Sequence, residues 1–522
     1  MKISTLSVSL AALSILAFAN PKLNDAEKKA LNVIQPSNLE PHLRFLADDY
    51  LEGRESGKRG NEIAARYIAS QFQKFGLKPA GENGSYFQQV RLLEKTITPE
   101  SNIQIEGTTL SYGADFYSVG GAADLKGELM YVKFAITAPE YEYDDLKDVD
   151  VNGKIVVFLS GEPASTDSAY FLGGADSPHS STRRKVKKLE SMGAAGVIQL
   201  LMPPDDVDFG QFEEWLRHPR VGLATDAAGG QLFPRMICTP AGSEKFLASF
   251  GLKRPDVFAN PSKGTVFNSK KTSVSIKVEQ KERAFQSPNV IGLLEGADPK
   301  LKSEVVILTA HFDHVGIGRA VDGDSIYNGL SDNASGTGIL LNTAEAFCSL
   351  KGKVRRSVAF MACTAEEMGL LGSKYFTENP TLPIESIVAD INFDVMGVAN
   401  EKTKRTITLT GEEFTTLGET MHKWSEYVGV KVTPDLFPEE RFFFRSDNLN
   451  FHLKKIPSIS PSSGMTSRSD FDDYLKYYHQ PGDEWGKLPM DLEALKLQAQ
   501  VIFLSALDVA NTESRPQFKP AP

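Results

Sequence analysis

Residues 305–314 read VVILTAHFDH, a short apolar run that leads straight into a histidine, an aspartate and a second histidine. A run apolar on both faces belongs in the middle of a sheet covered by helices, so Val305–Leu308 predicts a central strand. The same pattern recurs downstream. Val358–Ala362 leads into CTAEE at 363–367, and Ile387–Ile391, interrupted only by Asp390, leads into NFD at 392–394. Val290–Leu294 is a further run of this type, and GLSDNASG at 329–336 stands between the first two motifs. Helical spacing occupies Thr337–Leu350, Gly369–Glu378 and Leu492–Asn511. The alternation predicts an α/β domain with a mostly parallel central sheet flanked by helices, with ligands at the carboxyl ends of the strands.

Upstream the grammar changes. Residues 36–95 form a helical lead-in, with Leu43, Leu46 and Ala47 at helical spacing and a second amphipathic stretch from Ile63 to Phe75, stopped by Gly76. From 102 to 278 short β-type runs such as Leu129–Val132 and Lys154–Leu159 alternate with Gly, Pro and Asp turns, which predicts an inserted β-rich domain. Within it Val186–Met192 is helical in pattern and leads into the apolar run Val197–Leu201. The expected division is 1–19 as an export signal, 20–101 with 279–515 as the α/β domain, and 102–278 as the insertion.

The export signal rests on Lys2, the apolar core Leu6–Phe18 and the small-residue site Ala17-Phe18-Ala19. That core is shorter than the ~20 residues a spanning helix needs, so stable membrane insertion is not expected. A periplasmic or secreted location is. The 57 basic residues against 67 acidic ones leave a net charge of −10 with no Lys/Arg cluster, which argues against a nucleic-acid partner. Three cysteines, Cys238, Cys348 and Cys363, lack metal-type spacing, and at least one must be free.

Four loops would thus deliver His311, Asp332, Glu367 and Asp394 to one sheet edge. Imidazole and carboxylate sets of this kind suit zinc, with cobalt or manganese as substitutes. In the adjacent pair Glu366-Glu367 neighbouring side chains point apart, so one can bind metal while the other stays free to take a proton from water that the metal has acidified.

AHFDH, GLSDNASG, TAEEMGLLGS, NFD and YYHQPGDE, in this order, resemble the M28 family of co-catalytic zinc peptidases. LRFLADDYLEGRESGKRGNEIAARYI and FGLKPAGENGSYFQQV resemble the lead-in of its exported bacterial members, and DVNGKIVVFLSG and SMGAAGVIQLL the protease-associated (PA) domain that many of them carry as an insertion. The resemblance implies two zinc ions per chain, one held by His311 and Asp394, the other by Glu367 and His479, with Asp332 bridging. It implies Glu366 as general base on the water shared by the metals and Asp313 as the residue orienting His311, while His314 fits as a structural neighbour. Because the bridging carboxylate must serve ions ~3.5–4 Å apart, and relatives place a cis peptide after it, Asp332–Asn333 is expected to be cis.

Two departures stand out. The stretch between His311 and Asp332 is longer than in compact members, which predicts a loop over the site from Gly316 to Asn328. In Arg445-Ser446-Asp447-Asn448 many relatives have His in place of Asn448. Arg445 resembles the family's substrate contact, with Arg441 as a competitor, and Phe442–Phe444 line a pocket or form a buried strand. His42, His179, His218, His422 and His452 lack ligand companions.

The activity implied is removal of N-terminal residues from peptides. A carboxypeptidase acting on C-terminal acidic residues is the rival, disfavoured because the chain stops soon after the helix near Asn511, before the helical dimerisation domain such relatives add. A glutaminyl cyclase would not need both halves of the ligand set. A silent binding protein of the same fold would have lost ligands, and all five positions and Glu366 are filled.

Overall fold

The computed structural model describes residues 22–173, 177–201, 210–228, 232–253 and 272–520, so the export-signal segment lies outside the described residues. Two compact units are present. One runs to Val90 and resumes at Gln286, and the other is Arg91–Phe285. The junctions fall inside long strands, Phe87–Ile97 and Gln280–Leu294, which is why composition alone put them about ten residues away.

In the first unit the apolar runs are strands β1 (Gln280–Leu294), β2 (Val305–His311), β3 (Ser357–Cys363) and β4 (Ile387–Asn392), joined by β5 (Thr406–Thr410), β6 (Lys431–Thr433) and β7 (Ser458–Ser463). Their order is β1–β3–β2–β4–β7–β5–β6. The central strands β3, β2, β4 and β7 are parallel, and at one edge β5 and β6 are parallel to each other. β1 is antiparallel to β3, and β5 is antiparallel to β7. The sheet is therefore mixed, which corrects the mostly parallel expectation. Burial is blind to strand direction: Val290–Ile291 and Thr406–Thr410 are as buried as the parallel strands, and no apolar count distinguishes them.

Strand β7 was invisible to pattern reading because SISPSS holds four serines and Pro461, yet it lies between β4 and β5 with Pro461 opposite Leu409.

Alternation of side chains gives the sheet two buried faces. Val306 and Leu308 pack with helices α1 (Pro36–Leu46), α2 (Arg59–Phe75), α3 (Gly336–Cys348) and α5 (Leu492–Asn511). Ile307, Ala359 and Met361 pack on the other face with Phe376 of α4 (Leu371–Glu378) and Phe451. Burying both faces leaves the strand ends as the place where polar side chains can gather.

The second unit is a mixed eight-stranded sheet, ordered from Thr108–Ser111 through Asn102–Ile105, Ser273–Val278, Ala123–Tyr131, Ile155–Leu159, Gly196–Leu200 and Arg235–Cys238 to Phe116–Ser118. Ile103, Ile155, Val157 and Ile198 anchor its core, and Thr182–Ser191 is helical as the pattern predicts. Among the described residues no helix is long and apolar enough to cross a membrane. The cysteines are all free, with Cys238 and Cys363 buried.

Candidate metal centre

The loops after β2, β3 and β4 and the turn before α3 converge at the carboxyl end of the sheet. His311 is the last residue of β2, paired with Cys363, and its carbonyl accepts the hydroxyl of Thr337 at 2.8 Å, which ties strand end to helix start. Gly329 sets up the turn into α3. Its φ is +60°, and a β-carbon there would sit 2.2 Å from the Asp332 carbonyl oxygen. The Asp332–Asn333 peptide is cis, as expected. Asn333 then accepts the Gly336 N–H at 2.9 Å and donates to the Phe393 carbonyl at 3.2 Å, binding this turn to the Asp394 loop.

The donor atoms fall in two groups that share Asp332: His311, Asp332 and Asp394, and His314, Asp332, Glu367 and His479. His311 Nε2 is 3.1 Å from Asp394 Oδ1 and 3.2 Å from Asp332 Oδ1. His479 Nε2 is 3.0 Å from Glu367 Oε2 and 3.4 Å from Asp332 Oδ2, yet is hydrogen-bonded to neither. Ligands 2.0–2.1 Å from a tetrahedral ion lie roughly 3.3 Å apart. Donor atoms held side by side at that spacing, one of them a buried nitrogen with no hydrogen bond, fit a zinc ion in each group.

Electrostatics point the same way. Asp313, Asp332, Glu366, Glu367 and Asp394 crowd together, the first three of them buried. Burial pushes the Glu366 carboxyl well up, with the Glu367 and Asp394 charges adding to it against the pull of His311. Burial opposes ionisation of Glu367 as well, but His479 and the hydrogen bond from His314 hold it down at about 2. His311 and His479 sit well above the ordinary imidazole value because carboxylate charge, Asp394 and Glu367 respectively, outweighs their burial. An excess of buried negative charge awaits cations.

The five sequence-predicted ligands and Glu366 are thus brought together. Asp313 meets His311 through its backbone, with its carbonyl oxygen 3.2 Å from Nδ1 and its carboxyl oxygen 3.8 Å away, and that carboxyl oxygen accepts the Glu366 N–H at 3.2 Å. Burial pushes that carboxyl up to about 7. His314 is closer to the centre than a bystander, with Nδ1 2.9 Å from Glu367 Oε1, the oxygen that does not face His479. Asp394 is steadied by Ser446, whose hydroxyl donates to Oδ2 at 2.9 Å.

Beside the carboxylates lies a cavity of about 230 Å³. Glu366, Asp332 and Asp394 form one wall, and Leu436, Phe437 and Phe442 form an apolar one. Arg445 lines it, 3.6 Å from Glu440 and 3.3 Å from the Tyr478 hydroxyl, whereas Arg441 stacks on the exposed Phe444. Phe442–Phe444 form a single helical turn, and only Phe443 is buried, so the buried-strand alternative falls. The segment Gly316–Tyr327 is a two-stranded hairpin packed on the turn Asp49–Arg54, and none of its residues lines the cavity.

Sequence reasoning missed Arg54, Ser56, Tyr478 and Asp483. Tyr478 stacks on His479 with ring centroids 4.0 Å apart and faces the cavity, where burial pushes its phenol well above the ordinary range. Its position next to a ligand-type histidine was the available signal.

The chain is 24% identical over 274 residues to the aminopeptidase YwaD of Bacillus subtilis (strain 168), an alignment covering 50% of this chain and 55% of that protein, so it spans about half the length of this curated relative. Among solved structures it shares the fold of an aminopeptidase from Aneurinibacillus sp. strain AM-1, with TM-score 0.57 and 19% identity over 95% of this chain and 98% of that one. BSAP, a zinc aminopeptidase from Bacillus subtilis, superimposes with TM-score 0.50 and 18% identity over 92% and 96% of the two chains. Residues 289–503 match the model of peptidase family M28. That span holds every loop of the metal centre, from the strand before His311 to the helix after His479, so the part of the chain that is similar to peptidase family M28 is the part that carries the candidate site.

Proposed function

We propose that the protein is an exported aminopeptidase that uses two zinc ions per chain to hydrolyse the first peptide bond of a peptide. The observation that carries this is the pair of donor groups sharing Asp332 beside a cavity walled by Glu366. His311 and Asp394 would hold one ion, Glu367 and His479 the other, with Asp332 common to both. Zinc supplies Lewis acidity there, acidifying water and polarising the scissile carbonyl.

The remaining work belongs to side chains. Glu366 has no place in either donor group, so its carboxylate is free to take a proton from water and return it to the departing amine as the C–N bond breaks. His314 orients Glu367 by donating to the oxygen turned away from His479. Arg445 donates to the Tyr478 oxygen, which leaves the phenolic proton to be given to the substrate's developing oxyanion.

Charge favours the amino end of the peptide. Among the described residues lining the cavity, the one cation is Arg445, already matched by Glu440, so a C-terminal carboxylate has no unpaired partner, whereas an α-ammonium meets carboxylates. The inserted unit is a PA domain in this reading, and the N-terminal segment, with Lys2 and its apolar core, directs export to the periplasm or beyond.

Hydrolysis of a panel of aminoacyl-anilides, with and without chelator, tests the reading, alongside metal analysis. Two zinc ions per active chain and loss of activity on chelation are expected. Full activity with one ion per chain overturns the two-metal mechanism, and hydrolysis confined to N-blocked peptides with free C-termini overturns the aminopeptidase.

A further inference from the structure

The metal centre is braced from a segment far away in sequence. Arg54 is fully buried, and its guanidinium meets no carboxylate within bonding distance among the described residues. Each of its three nitrogens donates to backbone carbonyls: Nε to Phe312 at 2.7 Å, Nη1 to Asn328 at 2.6 Å and to Leu46, Nη2 to Gly329 at 2.9 Å. Phe312 lies between His311 and Asp313, and Gly329 begins the turn to Asp332. One planar group therefore holds two ligand loops in register. The carbonyl of Arg54 in turn accepts the His314 N–H at 3.4 Å and the Asn61 side chain at 3.2 Å.

Ser56, two residues on, takes the third loop. Its hydroxyl accepts the Ala365 N–H at 2.9 Å and bonds the Thr364 hydroxyl at 2.9 Å, directly before Glu366-Glu367. Ser287 of β1 joins Thr364 to Asn61, closing a buried polar network. The turn itself is shaped for close approach, since Gly53 has φ +67° and a β-carbon there would fall 2.5 Å from the carbonyl oxygens of Gly316 and Tyr327.

A buried cation is costly unless its donors are satisfied and charge lies nearby. Here backbone carbonyls take four of the five donors, and the charges of Asp483, Asp313, Asp332 and Glu367 act on it, partly offsetting the burial that brings its own pKa down to about 10. No lysine could do the same, having one nitrogen where four carbonyl groups diverge around a plane. We infer that Arg54 and Ser56 are positioning residues that hold the loops of His311, Asp332 and Glu367 in a zinc-ready arrangement before any metal arrives, with Arg54 also offsetting carboxylate repulsion there.

This rests on the zinc reading for its affinity arm only. Arg356 supplies an internal control, because it too is fully buried and its guanidinium donates to Glu304 and to the carbonyls of Val509, Thr512 and Glu513, remote from the site. Zinc affinity by chelator competition and amide hydrogen exchange on the zinc-free full chain are compared for wild type, Arg54→Lys, Ser56→Ala and Arg356→Lys. Arg54→Lys should weaken zinc binding by at least ~10-fold, as loss of an outer support does, and speed zinc-free exchange at 330–334 and 364–367. Ser56→Ala should speed exchange at 364–367 alone. Arg356→Lys should lower the Tm while leaving zinc affinity and those amides unchanged.

The proposal is overturned if Arg54→Lys binds zinc like wild type with unaltered exchange, or if Arg356→Lys weakens zinc as much. Should Arg54→Lys fail to fold, unchanged 364–367 exchange in Ser56→Ala overturns it alone. Wild-type protein that binds no zinc sinks the proposed function, while the zinc-free exchange arm still decides the brace.

Discussion

Asp483 holds Asp332 by its backbone: one carboxyl oxygen of Asp483 accepts the Asp332 N–H at 3.1 Å and the Ser331 hydroxyl at 3.0 Å, and the other accepts the Ser331 N–H at 2.8 Å. The aspartate shared by both donor groups is therefore aimed by a buried partner that lies four residues after His479. Asp483→Asn turns one of those acceptors into a donor facing an N–H. It should cost roughly 10–100-fold in zinc affinity, the usual range for such supports, with the fold retained. Isothermal titration with zinc reads it directly; wild-type affinity in this variant removes Asp483 from the site's support.

Glu366→Gln keeps the shape and removes the base, so kcat should fall at least ~10²-fold with zinc content unchanged. Glu367→Gln should lose metal, because the amide is a poor ligand beside His479. If both proteins keep two zinc ions and only Glu367→Gln is dead, the two glutamates have exchanged roles.

Arg445→Ala removes the donor to Tyr478 and the charge facing Glu440. The kcat/KM for an aminoacyl-anilide should fall roughly tenfold, about 1.4 kcal/mol of lost transition-state stabilisation, while Arg441→Ala, whose guanidinium stacks on Phe444, should leave it unchanged. The reverse ranking in steady-state kinetics assigns the contact to Arg441.

His42 on α1 gives a pH dependence independent of the metal centre. Burial, aided by Lys74, lowers its pKa from 6.5 to about 4, and Nδ1 is 2.8 Å from the Tyr67 hydroxyl. The unfolded chain takes the proton near pH 6.5 while the folded chain refuses it until about pH 4. Across that window the unfolded state binds more protons, so stability is lost as pH falls, at most about 1.4 kcal/mol per pH unit from this group. Urea unfolding of wild type and His42→Gln between pH 7 and 4 should show the variant with the flatter profile. Parallel curves discard His42 as the cause.

The central strands were legible in the sequence because burial on both faces leaves an apolar run, and the ligand types were legible because each sits directly after one. Asp332 and His479 lie outside that rule; the ordered motifs brought them in. Strand direction was not legible, nor was β7, whose serines and Pro461 carry no apolar signature. Arg54 was the hardest to see. In the sequence it is one arginine in a polar stretch, and only a fold that brings Phe312, Asn328 and Gly329 around it reveals why a cation belongs in the interior.

Because residues 91–285 interrupt the unit that carries the metal centre, that centre is sewn together from Arg54 at one end and Asp483 at the other. During synthesis the brace leaves the ribosome long before the loops it must hold, and Asp483 follows after all of them. Contacts of such sequence separation close late and slowly. The candidate site therefore cannot assemble on the nascent chain until the segment with His479 and Asp483 has followed Arg54 out, a delay built into the order of these residues.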